Sequence, residues 1–233
     1  MEVKSIYPII NFSDEDEIAV QYERLGADGV IIISPDFSDE AMLIKKIRNI
    51  CEKSDCRLYI WQPYRRLEDI KKVLYAGAAG AWIEATEQTL IREAADRFGA
   101  DRVGMVISEP KLAADEFKLA KELNLTNIFV TGTIEISDTI VISDSRNVSI
   151  AAAENGTVIK RADGFLDDMF MVQGENTAFQ FGTGKNGDTV LSLTVDASSA
   201  DDATGSIVSL EKGYFGMSDG VTLTGNRTSA PGS

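Results

Sequence analysis

Two adjacent arginines, Arg65 and Arg66, follow the run Trp61-Gln62-Pro63-Tyr64. Their guanidinium forks match phosphate oxygens, so the pair is a candidate anion site. The plainer reading is the solvated start of a helix. Glu84 closes the apolar run Ala81–Glu84, Asp36 follows Val30–Ser34, and Thr131 closes Asn127–Thr131. A polar group at the end of a buried strand can bind a ligand or move a proton, but a lone carboxylate needs a partner to do acid–base work. Without one, each reads as a solvated rim residue. The chain contains no histidine. That removes imidazole catalysis, the Ser-His-Asp and Cys-His arrangements, and the commonest transition-metal ligand. Cys51 and Cys56 flank a helix end and read as two free thiols rather than a disulfide. A zinc site would need further soft ligands, so neither metal nor cofactor is expected.

The 233 residues carry a formal charge of −14, which leaves no broad basic face for nucleic acid or an acidic membrane surface. No apolar run approaches the roughly 18 residues of a membrane span. The opening MEVKSIYPIINFSDEDE lacks the apolar core and small-residue cleavage site of a signal peptide. The first half therefore reads as cytoplasmic.

The elements that must position these residues alternate regularly up to Gly132. Strands are expected at Ile6–Phe12, Val30–Ser34, Arg57–Trp61, Ala81–Ala85, Val103–Ser108 and Asn127–Thr131. Helices are expected from Ser13 to Leu25, Ser38 to Lys53, Leu67 to Tyr75, Gln88 to Phe98 and Leu112 to Leu123, with Ser13 capping the first. Met42, Ile44, Ile47 and Ile50 form the expected inner stripe of the second helix. The junctions ERLGADGVIII, LYAGAAGAWIE and DRFGADRVGMV repeat one grammar: a glycine turn, then a β-branched or apolar run suited to burial on both faces. About 20–25 residues per unit argues for a parallel sheet with right-handed crossovers. Six such units make either three quarters of a (β/α)8 barrel, which takes about 250 residues, or a doubly wound open sheet.

The runs DEIAVQYERLGADGVIII, RRLEDIKKVLYAGAAGAWI and IREAADRFGADRVGMVIS resemble the histidine-biosynthesis (β/α)8 barrels. These are the cyclase subunit of imidazole glycerol phosphate synthase and its sister, the phosphoribosylformimino aminoimidazole carboxamide ribotide isomerase. The resemblance covers Ser5 to about Gly132. It implies a partial barrel and a phosphorylated sugar as ligand, while the site has changed. Where the family's first strand ends in a catalytic aspartate, this chain has Asn11; where the cyclase's fifth strand ends in a second carboxylate, it has Ser108. An amide and a hydroxyl cannot replace a paired acid and base. The family's Gly-Gly-Gly phosphate loop reads Trp61, Gln62, Pro63, and the first βα loop has shrunk to Ser13–Asp16. Proline removes a backbone donor and tryptophan fills space the phosphate would take.

After Gly132 the helical period vanishes, and the sequence alternates apolar and polar residues between Asn, Asp and Gly turns. Ala178-FQFGTG is echoed by Tyr214-FGMSDG, Val190-LSLTVD by Val221-TLTGN, and Met169–Val172 by Ile207–Leu210. Such units suggest rungs of a right-handed parallel β-solenoid, with a β-sandwich as the alternative. The wording resembles β-helix repeats of bacterial surface proteins, which implies cell-surface material. Phe179, Phe181, Tyr214 and Phe215 are expected to fill the interior. The acids on turns fit no calcium motif and read as solvated.

The expected organisation is thus residues 1–132 as a degenerate partial barrel and 133–233 as a β-rich repeat domain. The leading function is a non-catalytic structural or interaction protein, or a truncated gene product. The alternatives are a phosphoribosyl-ligand binder using Arg65, Arg66, Glu84 and Thr131, and a regulatory domain tied to histidine biosynthesis. Self-association through the open sheet edge after the sixth strand is also expected.

Overall fold

The computed structural model describes residues 7–34, 39–108, 113–144, 146–183, 185–186, 189–198 and 203–226. Asp36 and Ser38 lie outside them. The chain divides into two units, Met1–Val106 with Gly184–Val190, and Ile107–Thr183 with Leu191–Ser233. The division does not coincide with the change of sequence pattern at Gly132.

Unit 1 alternates strand and helix: β1 (Ile9–Asn11), α1 (Asp16–Arg24), β2 (Val30–Ile33), α2 (Glu40–Lys53), β3 (Leu58–Trp61), α3 (Leu67–Tyr75), β4 (Gly80–Glu84), α4 (Gln88–Phe98) and β5 (Val103–Ile107). The strands are parallel, in the order β1-β2-β3-β4-β5. That unreversed order is barrel-type winding; a doubly wound sheet reverses at a switch point. Val30, Ile32, Leu58, Ile60, Ala81 and Ile83 are fully buried, as continuous β-branched and apolar runs predict. Gly104 is required on β5, because a Cβ there would lie 2.3 Å from the Trp82 ring. The free side of β1 is taken by a short ribbon from late in the chain, β13 (Lys185–Asn186) and β14 (Thr189–Val190). Asn186 pairs with Ile9 in parallel.

Two helix expectations shift. Helix α1 starts at Asp16 with Glu15 as its cap, because Ser13 lies in a turn in which Asn11 and Asp14 bond to each other. In α2 the buried stripe is Leu43, Lys46, Ile47 and Ile50, and Met42 is exposed. Lys46 turns inward because its ammonium has partners there. It donates to the Asp14 carbonyl and lies 3.0 Å from Asp16 Oδ1, which ties α2 to the β1–α1 turn.

Unit 2 begins with α5 (Ala113–Glu122) and β6 (Asn127–Val130). There follow β7 (Thr133–Ile136), β8 (Ile140–Ile142), β9 (Asn147–Ala152), β10 (Thr157–Arg161), β11 (Phe170–Val172) and β12 (Ala178–Thr183). After the excursion through β13 and β14 come β15 (Leu193–Asp196), β16 (Val208–Leu210), β17 (Tyr214–Met217) and β18 (Val221–Thr224). The chain visits three sheets in turn. Strands β7-β10-β15-β18 form one, β8-β11-β16 the second, and β9-β12-β17 stack in the third. Every one of these pairs is parallel, which a β-sandwich of antiparallel hairpins cannot provide.

The sequence echoes become register pairs. Phe179 stands opposite Phe215 and Phe170 opposite Val208, as the repeats place them. The third echo is displaced by three residues, since Leu193 rather than Val190 pairs with Val221. Gly213 turns the corner into β17 with φ of +104°, where a Cβ would lie 2.4 Å from the Thr177 carbonyl oxygen. Phe170, Phe179 and Phe181 are buried with ring centroids 4.8–5.2 Å apart, and Phe215 continues the column. Tyr214 does not belong to it. Its alternation phase is outward, opposite Ala178, and it is 69% exposed. The free side of β6 is not open, because β9 pairs along it.

Arg161 is the unexpected interior residue. It stands opposite Ile136, at an inward position of β10, and is buried. Its guanidinium donates to the carbonyls of Phe165, Asp167 and Gly205, holding two loops by their backbones. Burial lowers its pKa from the ordinary guanidinium value, and the carboxylates of Asp168 and Asp167 oppose that shift.

Candidate functional site

The C-terminal ends of the unit 1 strands are where a fold of this winding would bind a ligand. β1 ends at Asn11, β3 at Trp61 and β4 at Glu84. The register aligns Asn11 with Ile33, Ile33 with Trp61, and Trp61 with Trp82. Asn11 is exposed, and its backbone N–H donates to Asp14 Oδ2 at 2.7 Å. Glu84 accepts a hydrogen bond from the Trp61 indole at 2.9 Å. It joins a carboxylate to a donor that cannot exchange a proton near neutral pH.

The arginines separate in role. Arg66 is exposed, but its backbone N–H and guanidinium reach Asp69, at 3.2 and 3.0 Å. Asp69 is 1% exposed and caps α3 through these bonds, so Arg66 does the work of a helix start. The Asp69 carboxylate raises the Arg66 pKa. Arg65 is exposed in the same loop. Thr131 and Ser108 belong to unit 2; the Thr131 N–H donates to the Ile107 carbonyl at 3.0 Å, and Ser108 is exposed.

Gln62 was not singled out by its sequence context. It is buried, and its side-chain Nε2 has no hydrogen-bond partner. An orphaned donor in such a place costs about 1–3 kcal/mol, so its presence beside Trp61 asks for an acceptor. Its neighbour Tyr64 is also buried and donates its hydroxyl to the Ile60 carbonyl at 3.0 Å. Burial, with a smaller contribution from Asp69, raises the Tyr64 pKa well above the ordinary phenol value. In unit 2, Glu116 on α5 is buried with Oε2 unpartnered, and burial raises its pKa. A cleft of about 130 Å³ lies between α5 and β8, lined by Phe117, Lys118, Lys121, Asp138 and Ile140. Lys118 pairs with Asp138 at 3.2 Å across it. It is small beside the ~300 Å³ and above of ordinary ligand pockets.

No group of three or more metal-ligating side chains occurs among the described residues. Among them, too, no helix is long and apolar enough to cross a membrane. Both cysteines are free. Burial pushes the Cys56 thiol up to about 12, with smaller contributions from Glu23 and Cys51, and burial raises Cys51 as well. At pH 8 that leaves about one Cys56 in 10⁴ as thiolate, against roughly a quarter for an ordinary thiol. Iodoacetamide should therefore alkylate Cys56 about a thousandfold more slowly in the native protein than in denaturant, the native rate rising about tenfold per pH unit. Peptide mapping after timed quenching reads the rate; equal native and denatured rates would show the thiol to be accessible and unperturbed.

No family model matches the chain.

Proposed function

We propose that the chain is a non-catalytic structural or interaction protein, a partial barrel related to the histidine-biosynthesis enzymes joined to a right-handed parallel β-solenoid. One observation carries the reading: Glu84, the carboxylate at the end of β4, accepts a hydrogen bond from the Trp61 indole at 2.9 Å. An indole N–H cannot serve that carboxylate as an acid or base near neutral pH. For the second unit, the support is the cyclic return of the chain to three parallel sheets, each strand in register with its predecessor one circuit earlier.

A phosphoribosyl-binding reading is the alternative, favoured by the unpartnered Gln62 amide and the exposed Arg65. Ribose 5-phosphate separates the two. A ligand with Kd near 1 mM, added at ten times that concentration, stabilises by about 1.4 kcal/mol and raises Tm by about 3–5 °C. The structural reading expects less than about 1 °C. A shift of the larger size, lost in Arg65→Ala, would establish binding instead. The Asn11→Asp/Ser108→Asp variant should show no cyclase turnover, since the phosphate loop remains Trp61-Gln62-Pro63.

A further inference from the structure

Strand β8 ends the β16-β11-β8 sheet, and α5 packs against it. The Ile140 N–H donates to the Met169 carbonyl at 2.9 Å, and the Ile142 carbonyl accepts from the Gln173 N–H at 2.9 Å. In a parallel strand successive residues bond to opposite sides, so the N–H and C=O of Val141 face away from β11. The helix cannot take them up, because its own backbone groups are spent within it. No group among the described residues bonds to either. The space left between α5 and β8 is a pair of adjoining hollows of about 130 and 30 Å³, and Phe117, Lys121, Ile140 and Val141 line both. The larger is too small for an ordinary drug-sized ligand. An engineered apolar cavity of about 150 Å³ takes benzene, so this one has room for about five carbons.

The charges around these hollows run against the rest of the chain. The net charge is −14, yet the lining holds Lys118, Lys121 and Arg146 against one carboxylate, Asp138. Lys118 and Asp138 pair with each other at 3.2 Å. The Arg146 guanidinium donates to the Lys121 carbonyl at 2.8 Å, which offsets the negative end of the α5 dipole. The Lys121 ammonium is exposed and has no partner among the described residues. An apolar floor is thus bordered by a backbone donor, an ammonium and a guanidinium, none of them answered by an anion.

We infer that the α5–β8 cleft binds a short-chain monocarboxylate. Its tail, about five carbons long, lies in the larger hollow on Phe117 and Ile140. Its carboxylate accepts from the Val141 N–H and meets the Lys121 ammonium, a charge-assisted contact. Each part of the lining argues for this class. An inorganic anion would leave the apolar floor wet, and an alcohol or amine of the same length would leave the cations unanswered. An extended peptide would gain strand hydrogen bonds at Val141 alone, since β8 is three residues long. The site lies wholly in unit 2, goes beyond the structural reading and does not depend on the sugar-phosphate question in unit 1.

Hexanoate titrated into the nitrogen-15-labelled chain should give saturable amide shifts centred on Val141 and Lys121, with a Kd on the order of 1 mM. Acetate, hexan-1-ol and hexylamine should each bind at least about tenfold more weakly, the first for want of a tail and the others for want of an anion. Decanoate should gain less than about threefold over hexanoate, because the hollow is already full. Lys121→Glu, at an exposed position, should keep the far-UV spectrum and raise the hexanoate Kd about tenfold or more. No saturable shift up to about 20 mM would overturn the inference. So would equal binding of the amine or the alcohol, affinity that climbs steadily to decanoate, or indifference to Lys121→Glu. Equal binding and steady climbing would mark general adsorption to apolar surface.

Discussion

Replacing Arg161 with methionine is expected to destabilise unit 2 by about 3 kcal/mol. The guanidinium supplies donors to the carbonyls of Phe165, Asp167 and Gly205. Methionine fills much of the same volume and removes the charge, so the comparison isolates the hydrogen bonds. A buried ion exchanged together with its partners for apolar groups often costs nothing. Here the partners are backbone and stay behind, three carbonyls without donors. Against this stands the desolvation of the guanidinium, whose own Nε finds no acceptor. Three charge-assisted bonds at ~1.5–3 kcal/mol each outweigh that penalty. Arg161→Lys should fall between, because one ammonium cannot span three acceptors. Urea unfolding followed by β-sheet circular dichroism reads the loss. Both tryptophans, Trp61 and Trp82, lie in unit 1, so their fluorescence follows that unit separately. A cost below about 1 kcal/mol would mean that water replaces the guanidinium at little expense.

The larger loss is expected from Phe181→Ala, about 3–5 kcal/mol. Phe181 is fully buried and meets Phe170 at 5.1 Å, Phe179 at 4.8 Å and Phe215 at 5.7 Å, each edge-on. Truncation removes the transfer free energy of the ring and leaves a hole, and the edge-to-face geometry with three neighbours goes with it. Phe181→Leu should recover more than half. Phe215→Ala is the informative control, since Phe215 meets only the rings of Phe179 and Phe181 and is half-buried. It should cost less than half as much. Equal costs would mean that Phe215 is covered in solution.

Strand and helix alternation in unit 1 was legible because two local preferences agree there. Glycine turns stop the helices, and runs such as VIII at 30–33 suit only a strand covered on both faces. The α2 stripe was misplaced because composition sends lysine outward. Lys46 goes inward on account of Asp14 and Asp16, thirty residues away in sequence, which no periodicity records. In unit 2 the echoes predicted the register of Phe179 on Phe215, but the same echo sent Tyr214 inward. Strict alternation gives the opposite answer, since Phe215 and Tyr214 are adjacent and cannot face one way. The same period-2 count from Thr157 and Ile159 places Arg161 inside, against the charge rule. At the candidate site, the neutral side chains of Asn11 and Ser108 are plain in the sequence. The indole that engages Glu84 and the orphaned Gln62 amide are not, because both depend on pairing across strands.

The ribbon that lines β1 bears on how the protein is made. Ile9 meets Asn186, and residues 184–190 belong with the first 106. A ribosome adding ~5–20 residues per second needs roughly 4–16 s to pass from Val106 to Gly184. Through that interval β1 lacks the partner that Asn186 later supplies, while the strands of unit 2 are being synthesised. The first unit cannot be finished until residues 184–190, most of a second unit later in the chain, have been made.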